Sequence, residues 1–376
     1  MKKSILTLLA LFMMLGASAQ NYKMVITKAD GTTVEFPTSE INNITYAEIQ
    51  GEVLPDQNVD QIIIKEIYNG GCVNDAGKNF QFDKCIILYN NCGQQAVINN
   101  LCIGALDPAN GHNNNKNYDE NGELVYESQG FHPIWHGVWW FQGSLVVEPY
   151  SQIVVNVCGA IDNTQTVSNS INYANPAYYA MYDPESGYNN TNYYPTPASE
   201  IPTSHYLKAK EIGIGNGWTY SVSSPATIIF QVQGTDAQTW ADNADNIWYP
   251  GGEVSDVFAC FKVPTEWIID GVEIFSKDKP DDSKKRLTAE VDGGYVYLTN
   301  YQGHSLYRNV DKAATEALTE NAGKLVYNYA LGVDDSTDPS GIDAEASMNN
   351  GAHIIFQDNN NSSEDFHERL KCSLKN

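Results

Sequence analysis

The chain has 376 residues, of which 42% are hydrophobic and 18% are charged, and its formal net charge is −24. An acidic balance of this size argues against nucleic acids and anionic membrane surfaces as partners. The length is sufficient for a large hydrophobic core, organised as one large domain with a small one or as two domains.

The first residues indicate a secretory signal peptide over residues 1–19. Lys2 and Lys3 precede an apolar run over residues 5–15, and Ala17-Ser18-Ala19 is a small-residue cleavage sequence. The apolar run is too short to cross a bilayer, and no later stretch predicts a membrane span. Cleavage after Ala19 leaves Gln20 rather than a cysteine at the new terminus, so we expect no lipoprotein. The sequence therefore predicts export to the periplasm, the outer surface or the medium.

A small N-terminal β-hairpin module is predicted over residues 22–50. Two β-rich runs, 24–27 and 33–36, flank Asp30-Gly31, which is a strong hairpin turn sequence. Residues 51–61 include Pro55 and few large apolar residues, and we predict a linker there. The remaining residues, 62–376, form the main predicted region, as one body or as two subdomains.

From residue 62 onward, short runs of β-branched and aromatic residues alternate with Gly, Pro, Asn and Asp. This pattern is typical of an all-β sandwich or barrel. We expect Ile64, Ile67, Ile86 and Leu88 in its core. The clearest helical segment, 312–318, is short enough to lie in a loop.

Several segments resemble a known family. Residues 64–68 and 83–90 resemble the opening strands of a lamin-tail-like β-sandwich, and residues 356–366 resemble its closing Asn-rich loop. Residues 139–143 and 148–155 resemble its aromatic strand, Pro turn and following strand. In this order the segments make the chain similar to the Bacteroidetes secreted proteins of domain-of-unknown-function family four-eight-seven-six. The resemblance implies an antiparallel lamin-tail-like or immunoglobulin-like β-sandwich with long loop insertions.

Two insertions are long enough to suggest a functional or mobile role. Residues 108–130 are rich in Asn, Gly and Asp, and residues 173–203 carry seven tyrosines among Pro and Asn. Tyrosine combines a large contact area with a hydroxyl group, as at many binding surfaces. The candidate ligand contacts are therefore Tyr188, Tyr193, Tyr194 and, from a separate aromatic run, Trp135. Packing of these rings on the sandwich itself is an equally compatible interpretation.

His132 and His136 are weak candidates for a metal site. Residues four apart share a face if they lie in one strand, so both rings could reach one ion. Pro133 and Gly137 favour a loop instead, and no HExxH motif or nearby carboxylate completes a ligand set. We therefore expect no metal and no cofactor. The acidic run 334–343 resembles a calcium loop but does not have its glycine at the sixth position.

The Asn-rich loop, residues 358–365, is the sharpest local motif. Asn and Asp side chains bond nearby backbone groups and tolerate left-handed conformations, so a structural role is favoured over a catalytic one. The residues of this predicted structural motif are Asp358, Asn359, Asn360, Asn361, Ser362 and Asp365.

The seven cysteines contain no CxxC pair, and four of them lie between residues 72 and 102. Export permits disulfides, so one or two bridges within that segment are compatible with the sequence. Buried, unpaired thiols are equally compatible. Because the count is odd, at least one thiol remains unpaired within a single chain.

Together these features predict an exported, non-enzymatic binding or cell-surface accessory protein. Its partner would be a glycan, or a protein of the outer membrane or cell surface such as a nutrient-uptake component. The alternative is a secreted hydrolase that acts on polysaccharide with carboxylates from the same loops. The sequence has no GxSxG nucleophile elbow and no phosphate-binding loop that would support another reaction class.

Overall fold

The computed structural model describes residues 22–27, 32–41 and 53–375. The chain divides into two compact units, Met1–Gln50 and Gly51–Asn376. In the first unit, β1 (Lys23–Thr27) and β2 (Thr33–Pro37) pair in antiparallel register. The predicted turn at Asp30-Gly31 and the predicted signal peptide lie outside the described residues.

The second unit is built from short strands and a few short helices. Its strands are β3 (Ile62–Tyr68), β4 (Cys72–Val73), β5 (Asn79–Phe80), β6 (Cys85–Asn90), β7 (Ala96–Asn99), β8 (Leu101–Ala105), β9 (Phe131–Trp135), β10 (Gly137–Trp140), β11 (Ser144–Val147), β12 (Gln152–Asn156), β13 (Tyr179–Met181), β14 (Tyr206–Glu211), β15 (Ala226–Gln231), β16 (Ile247–Trp248), β17 (Cys260–Pro264), β18 (Ile268–Ser276), β19 (Val296–Leu298), β20 (Ser305–Arg308) and β21 (Phe366–Arg369). Its helices are α1 (Ala237–Asp242), α2 (Lys312–Ala317), α3 (Ala344–Asn349) and α4 (Ser362–Asp365). Helix α2 confirms the predicted helical segment and ends one residue earlier.

Most of these strands form a 12-stranded sheet in the order β19-β18-β15-β8-β10-β14-β13-β12-β6-β3-β20-β21. Its neighbours are antiparallel except at β12–β13, β13–β14 and β18–β19, which are parallel. Smaller sheets are formed by β7 with β11, by β4 with β5, and by β16, β17 and β9. The predicted all-β class is therefore confirmed.

The large sheet folds back on itself. The Asp270 carboxylate of β18 accepts a hydrogen bond from the Ile64 backbone N–H of β3 at 2.7 Å, although these strands are far apart in the sheet order. The two edge strands of the sheet are also linked. The Glu368 carboxylate of β21 accepts a hydrogen bond of 2.8 Å from the backbone N–H of Thr299, the residue that follows β19. These bonds close the sheet into a sandwich or barrel-like body.

The core lies between the layers that this folding creates. Every residue of β3 and β6 is buried, as expected for strands that are covered on both faces. Ile64, Ile67, Ile86 and Leu88 are each 0% exposed and share one hydrophobic cluster. The predicted core positions are therefore confirmed.

Loops around the body are held in place by hydrogen bonds of side chains and of the backbone. Within the first insertion, Tyr126 is 0% exposed and its hydroxyl donates to the Arg286 carbonyl. Gln57, in the predicted linker, donates its backbone N–H to the Val97 carbonyl at 2.9 Å, so this part of the linker is attached to the second unit. Among the described residues, no helix has the length and apolar character needed to cross a membrane.

Candidate functional site

Arg308, the last residue of β20, anchors the Asn-rich loop from the sheet. Its side chain is 1% exposed and ion-paired with Asp270 of β18. Its Nη1 atom donates to the Gln357 carbonyl at 2.9 Å and to the Asp358 carboxylate at 3.0 Å. Burial raises the pKa of Asp270, and the charge of Arg308 opposes that rise. A buried cation therefore fixes the position at which the loop leaves the sheet.

The Asn-rich loop is also held by its own side chains. The Asp365 carboxylate accepts hydrogen bonds from the backbone N–H groups of Asn359 at 2.9 Å and Asn361 at 3.2 Å. The Asn361 side chain accepts from the Ser363 backbone N–H at 3.1 Å and caps α4. Asn360 has a φ of 52°, a left-handed conformation that Asn tolerates. These bonds give an irregular segment a defined shape.

The far end of the loop is tied to a second strand. The Ser362 backbone N–H donates to the Asp292 carboxylate at 2.8 Å. Asp292 also accepts from the Glu273 backbone N–H of β18 at 2.8 Å. The loop is therefore fixed to the sheet on both sides, and its exposed residues occupy defined positions.

A cavity of about 670 Å³, which we name the Asn-loop cleft, opens beside this loop. One wall consists of residues 334–339, and the other consists of Gln357 and residues of the Asn-rich loop. The floor is formed by Asn309, Phe366 and His367, which are all buried. The two loops that the sequence marks as unusual for their Asp and Asn content thus face each other.

The floor of the cleft is an uncharged hydrogen-bonded chain. The Tyr329 hydroxyl lies 2.6 Å from Nε2 of His367, and Nδ1 of His367 lies 2.7 Å from Oδ1 of Asn309. Asn309 donates its amide to the Glu364 carbonyl at 2.7 Å. Burial and the nearby charge of Arg369 lower the pKa of His367 to about 3, so its ring is neutral at physiological pH.

Two carboxylates fix the wall formed by residues 334–339: Asp338 is buried, whereas the Asp335 side chain is 73% exposed. Asp338 accepts from the Val310 backbone N–H at 3.0 Å, and burial raises its pKa. Asp335 accepts from Lys277 Nζ at 2.8 Å, and this hydrogen bond lowers its pKa. The Asp334 side chain is exposed at the rim.

The rim combines donors and acceptors around a rigid floor. Thr337, Asn359 and Glu364 are exposed along it, together with Asp334. Hydroxyl and amide groups donate and accept hydrogen bonds, whereas ionised carboxylates accept only. The rim of the Asn-loop cleft therefore offers hydrogen-bond donors and acceptors together with exposed carboxylates.

The structure places the predicted ligand tyrosines mostly in the core. Tyr188 is 0% exposed and stacks on Trp139 with ring centroids 5.1 Å apart. Tyr194 is 3% exposed, and its hydroxyl accepts from the Trp218 backbone N–H at 2.8 Å. Neither ring is open to a ligand at the surface, because the insertion folds over the sheet and places both rings in the core. The structural interpretation of this loop fits both residues.

The other predicted aromatic contacts are half-buried. Tyr193 packs edge-on against Phe82 with centroids 5.2 Å apart, and Trp135 stacks on His136 with centroids 4.9 Å apart. Neither residue lines the Asn-loop cleft.

Tyr193 does line a separate cavity of about 220 Å³ beside Lys84. Burial lowers the pKa of Lys84, and its amine donates to the Tyr220 carbonyl. The Lys84 amine beside this small cavity is therefore already hydrogen-bonded within the protein.

His132 and His136 have different partners. His132 Nε2 lies 3.2 Å from the Thr288 hydroxyl oxygen, and burial lowers its pKa to about 4. His136 has a φ of 68°, which breaks the strand, and its ring contacts the Ile214 carbonyl. Among the described residues, no group of three or more His, Cys, Asp or Glu side chains is arranged to hold a metal ion.

Sequence reasoning singled out the Asn-rich loop but missed the residues opposite and beneath it. Asn309 directly follows β20 and His367 lies within β21, whereas Asp334 and Thr337 belong to the run that we compared with a calcium loop. These residues are far apart in the sequence, so the sequence does not reveal that they lie close together in the folded protein. The one available signal is that both loops combine acidic and amide or hydroxyl residues.

Comparisons with known proteins agree with the resemblance noted in the sequence. The family model described as "Protein of unknown function (DUF4876)" matches residues 148–329. The chain is similar to the crystal structure of a DUF4876 family protein from Bacteroides thetaiotaomicron, with a TM-score of 0.59 and 18% sequence identity. That similarity covers 82% of this chain and 70% of the other. No curated protein matches the chain. The predicted resemblance to the Bacteroidetes proteins of unknown function DUF4876 is therefore confirmed.

Proposed function

We propose that the protein is an exported, non-enzymatic binding or cell-surface accessory protein, and that its Asn-loop cleft binds a glycan. The observation that carries this proposal is a cleft of about 670 Å³ with a polar rim on a rigid, neutral floor. Sites for small molecules commonly span about 300–1,000 Å³, a range that includes short oligosaccharides. The cleft loops are held by Arg308, Asp338 and Asp365, so little ordering is needed on binding.

An aromatic surface next to the Asn-rich loop supports a sugar ligand in particular. The backbone of Tyr295 is fixed to this loop, because its N–H donates to the Ser363 hydroxyl at 3.0 Å. The Tyr295 ring is 37% exposed and stacks on Phe275 with centroids 4.2 Å apart. Tyr297 lies edge-on at 5.4 Å. Flat, partly exposed aromatic rings beside polar groups can stack against the apolar face of a sugar.

The alternative, a secreted polysaccharide hydrolase, requires two carboxyl groups that face one cleft, with one held protonated. Near the Asn-loop cleft, the carboxyl groups with a raised pKa are Asp270, Asp338 and Asp365. All three are at least 95% buried and accept hydrogen bonds from the protein. We therefore favour binding over hydrolysis.

The same proposal includes a lamin-tail-like sandwich fold and export of the protein. The chain order of the strand and Asn-rich motifs supports a lamin-tail-like sandwich. The basic start, apolar run and small-residue cleavage sequence support export without a lipid anchor. An outer-membrane or surface protein is the other kind of partner that export would make accessible.

A glycan array probed with the full chain tests the proposal. Replacing both Asp334 and Thr337 by alanine removes two exposed rim groups without touching the buried supports. We expect affinity for any glycan that binds to fall about tenfold or more, since each polar contact contributes about 1 kcal/mol. The control, Asp282→Ala, removes an exposed acid from outside the cleft and should leave binding unchanged.

Equal glycan binding by the double variant and the control would rule out the cleft. Release of reducing ends from a bound polysaccharide would instead favour the hydrolase. If no glycan binds and the double variant alone loses capture of a purified surface protein, the partner is a protein.

A further inference from the structure

A pair of buried cysteines joins the start of β6 to the segment that follows β21. Cys85 is the first residue of β6, and Cys372 lies three residues beyond the end of β21. Both are 0% exposed, and their Sγ atoms are 4.0 Å apart. We propose that Cys85 and Cys372 form a structural disulfide that fixes the C-terminal segment to the sheet.

The approach that the bond requires is small. Because a disulfide has an S–S length of about 2.05 Å, the two sulfurs must move together by roughly 2 Å. Their surroundings are apolar, since both cysteines belong to one buried cluster with Ile87, Val154 and Tyr173. A disulfide suits such a site because it carries no hydrogen-bond donor that would stay unsatisfied.

The C-terminal segment is already positioned by polar contacts of the residues that follow Cys372. The Ser373 backbone N–H donates to the Glu66 carboxylate of β3 at 2.9 Å. Lys375 Nζ lies 2.8 Å from the Tyr68 hydroxyl and 3.4 Å from the Asp83 carboxylate. These contacts hold the segment against β3 and the start of β6, so the two thiols meet whenever the segment docks.

Other cysteines have different neighbours. All seven lie within the described residues as thiols. The Sγ atoms of Cys92, Cys102 and Cys260 lie 3.4–3.5 Å from backbone carbonyl oxygens two residues away in the chain. The structure therefore favours a bridge between distant parts of the chain over the bridges within residues 72–102 that the sequence leaves open.

The reaction balances with a disulfide as the oxidant. The two thiols and one molecule of oxidised glutathione give the Cys85–Cys372 bond and two molecules of reduced glutathione, by two successive thiol–disulfide exchanges. Burial raises the pKa of the Cys372 thiol, and neither sulfur is accessible in the folded chain. We therefore expect the bond to form during folding, as the C-terminal segment docks and while both thiols are still accessible, and afterwards to resist reduction.

Oxidative refolding of the full chain tests the proposal. The reduced protein is unfolded in urea and refolded in a mixture of oxidised and reduced glutathione, and free thiols are then alkylated in denaturant. Mass spectrometry should find a peptide pair linked through Cys85 and Cys372, with five thiols alkylated. Seven alkylated thiols, or a different linked pair, would overturn the proposal.

Thermal unfolding provides a second readout. The oxidised protein should melt roughly 5–10 °C above the reduced protein, because the cross-link closes a very long loop of the unfolded chain. Cys85→Ala and Cys372→Ala should each abolish this difference, whatever their own stability. Cys92→Ala, the matched control, should preserve it. If the alanine variants do not fold, the comparison of oxidised with reduced wild-type protein still tests the proposal. Equal melting temperatures of these two forms would count against a stabilising bridge.

Discussion

Arg308 and Asp358 are joined by a hydrogen-bonded ion pair of 3.0 Å that links a fully buried strand to an exposed loop. The charged Arg308 side chain is 1% exposed, whereas the Asp358 side chain is 34% exposed. The buried guanidinium also pairs with Asp270, so one side chain connects two layers of the fold and the wall of the Asn-loop cleft. Cleft geometry and core stability therefore depend on the same residue.

Replacing Arg308 by methionine should destabilise the protein by about 3–5 kcal/mol, because Asp270 would remain buried without its partner. Urea unfolding measures this loss, and amide hydrogen exchange should increase across residues 357–365. The exposed Lys312→Met variant is the control and should stay within about 0.5 kcal/mol of wild type. Equal stability of the two variants would contradict the role assigned to Arg308.

Tyr188 should behave as a core residue. Tyr188→Ala should cost about 3–5 kcal/mol because it removes a fully buried ring stacked on Trp139. Tyr188→Phe removes only the hydroxyl that donates to the His136 carbonyl and should cost about 1 kcal/mol. Melting curves and glycan binding on the same samples separate stability from recognition. A stable alanine variant that has lost binding would restore Tyr188 as a ligand contact.

Glu368 should make stability depend on acidic pH. Burial opposes its ionisation, but hydrogen bonds from His304, Lys277 and the Thr299 backbone hold its pKa at about 2, below the ordinary value of 4.5. The folded state therefore binds this proton less readily than the unfolded state. Stability present above pH 4.5 should be lost as the pH falls from 4.5 towards 2, by about 3 kcal/mol.

Unfolding free energies measured across this pH range check the assignment. Glu368→Gln should flatten the profile, whereas Glu290→Gln, at an exposed acid, should not. An unchanged slope in Glu368→Gln would assign the acid sensitivity to other carboxylates.

His132 should act in a second pH window. Burial lowers its pKa from 6.5 to about 4, so the unfolded state takes up this proton at a higher pH than the folded state. Stability should therefore fall as the pH drops from 6.5 to 4, by about 3 kcal/mol. His132→Asn should reduce the slope in this window, and the exposed His353→Asn variant is its control. The measurement is the pH dependence of the urea midpoint, and parallel profiles for wild type and His132→Asn would exclude this contribution.

Export makes a prediction at the other end of the chain. The mature protein should begin at Gln20 and carry no acyl group, because the cleavage sequence ends at Ala19 and the residue directly after it is glutamine rather than cysteine. Intact-mass and N-terminal peptide measurements on protein recovered from cell fractions check both points. Retention of Met1, or an acylated N-terminal cysteine, would contradict the proposed route.

The sequence by itself determined the class of the fold and much of its core. The alternation of β-branched runs with turn residues identified an all-β protein, because this periodicity reflects local backbone geometry and burial. Ile64, Ile67, Ile86 and Leu88 were recognisable as core residues for the same reason. The order of the motifs also indicated the family.

Only the tertiary structure decided what the loops do. Burial of Tyr188 and Tyr194 depends on how the 173–203 insertion folds over the sheet, and composition alone does not distinguish a covering loop from an exposed one. The Asn-loop cleft requires residues 334–339 to face residues 357–364. Cys85 and Cys372 lie side by side in space, although nearly the whole sequence of the second unit separates them. Such contacts follow from strand order, which the short-range pattern of a single chain does not encode in readable form.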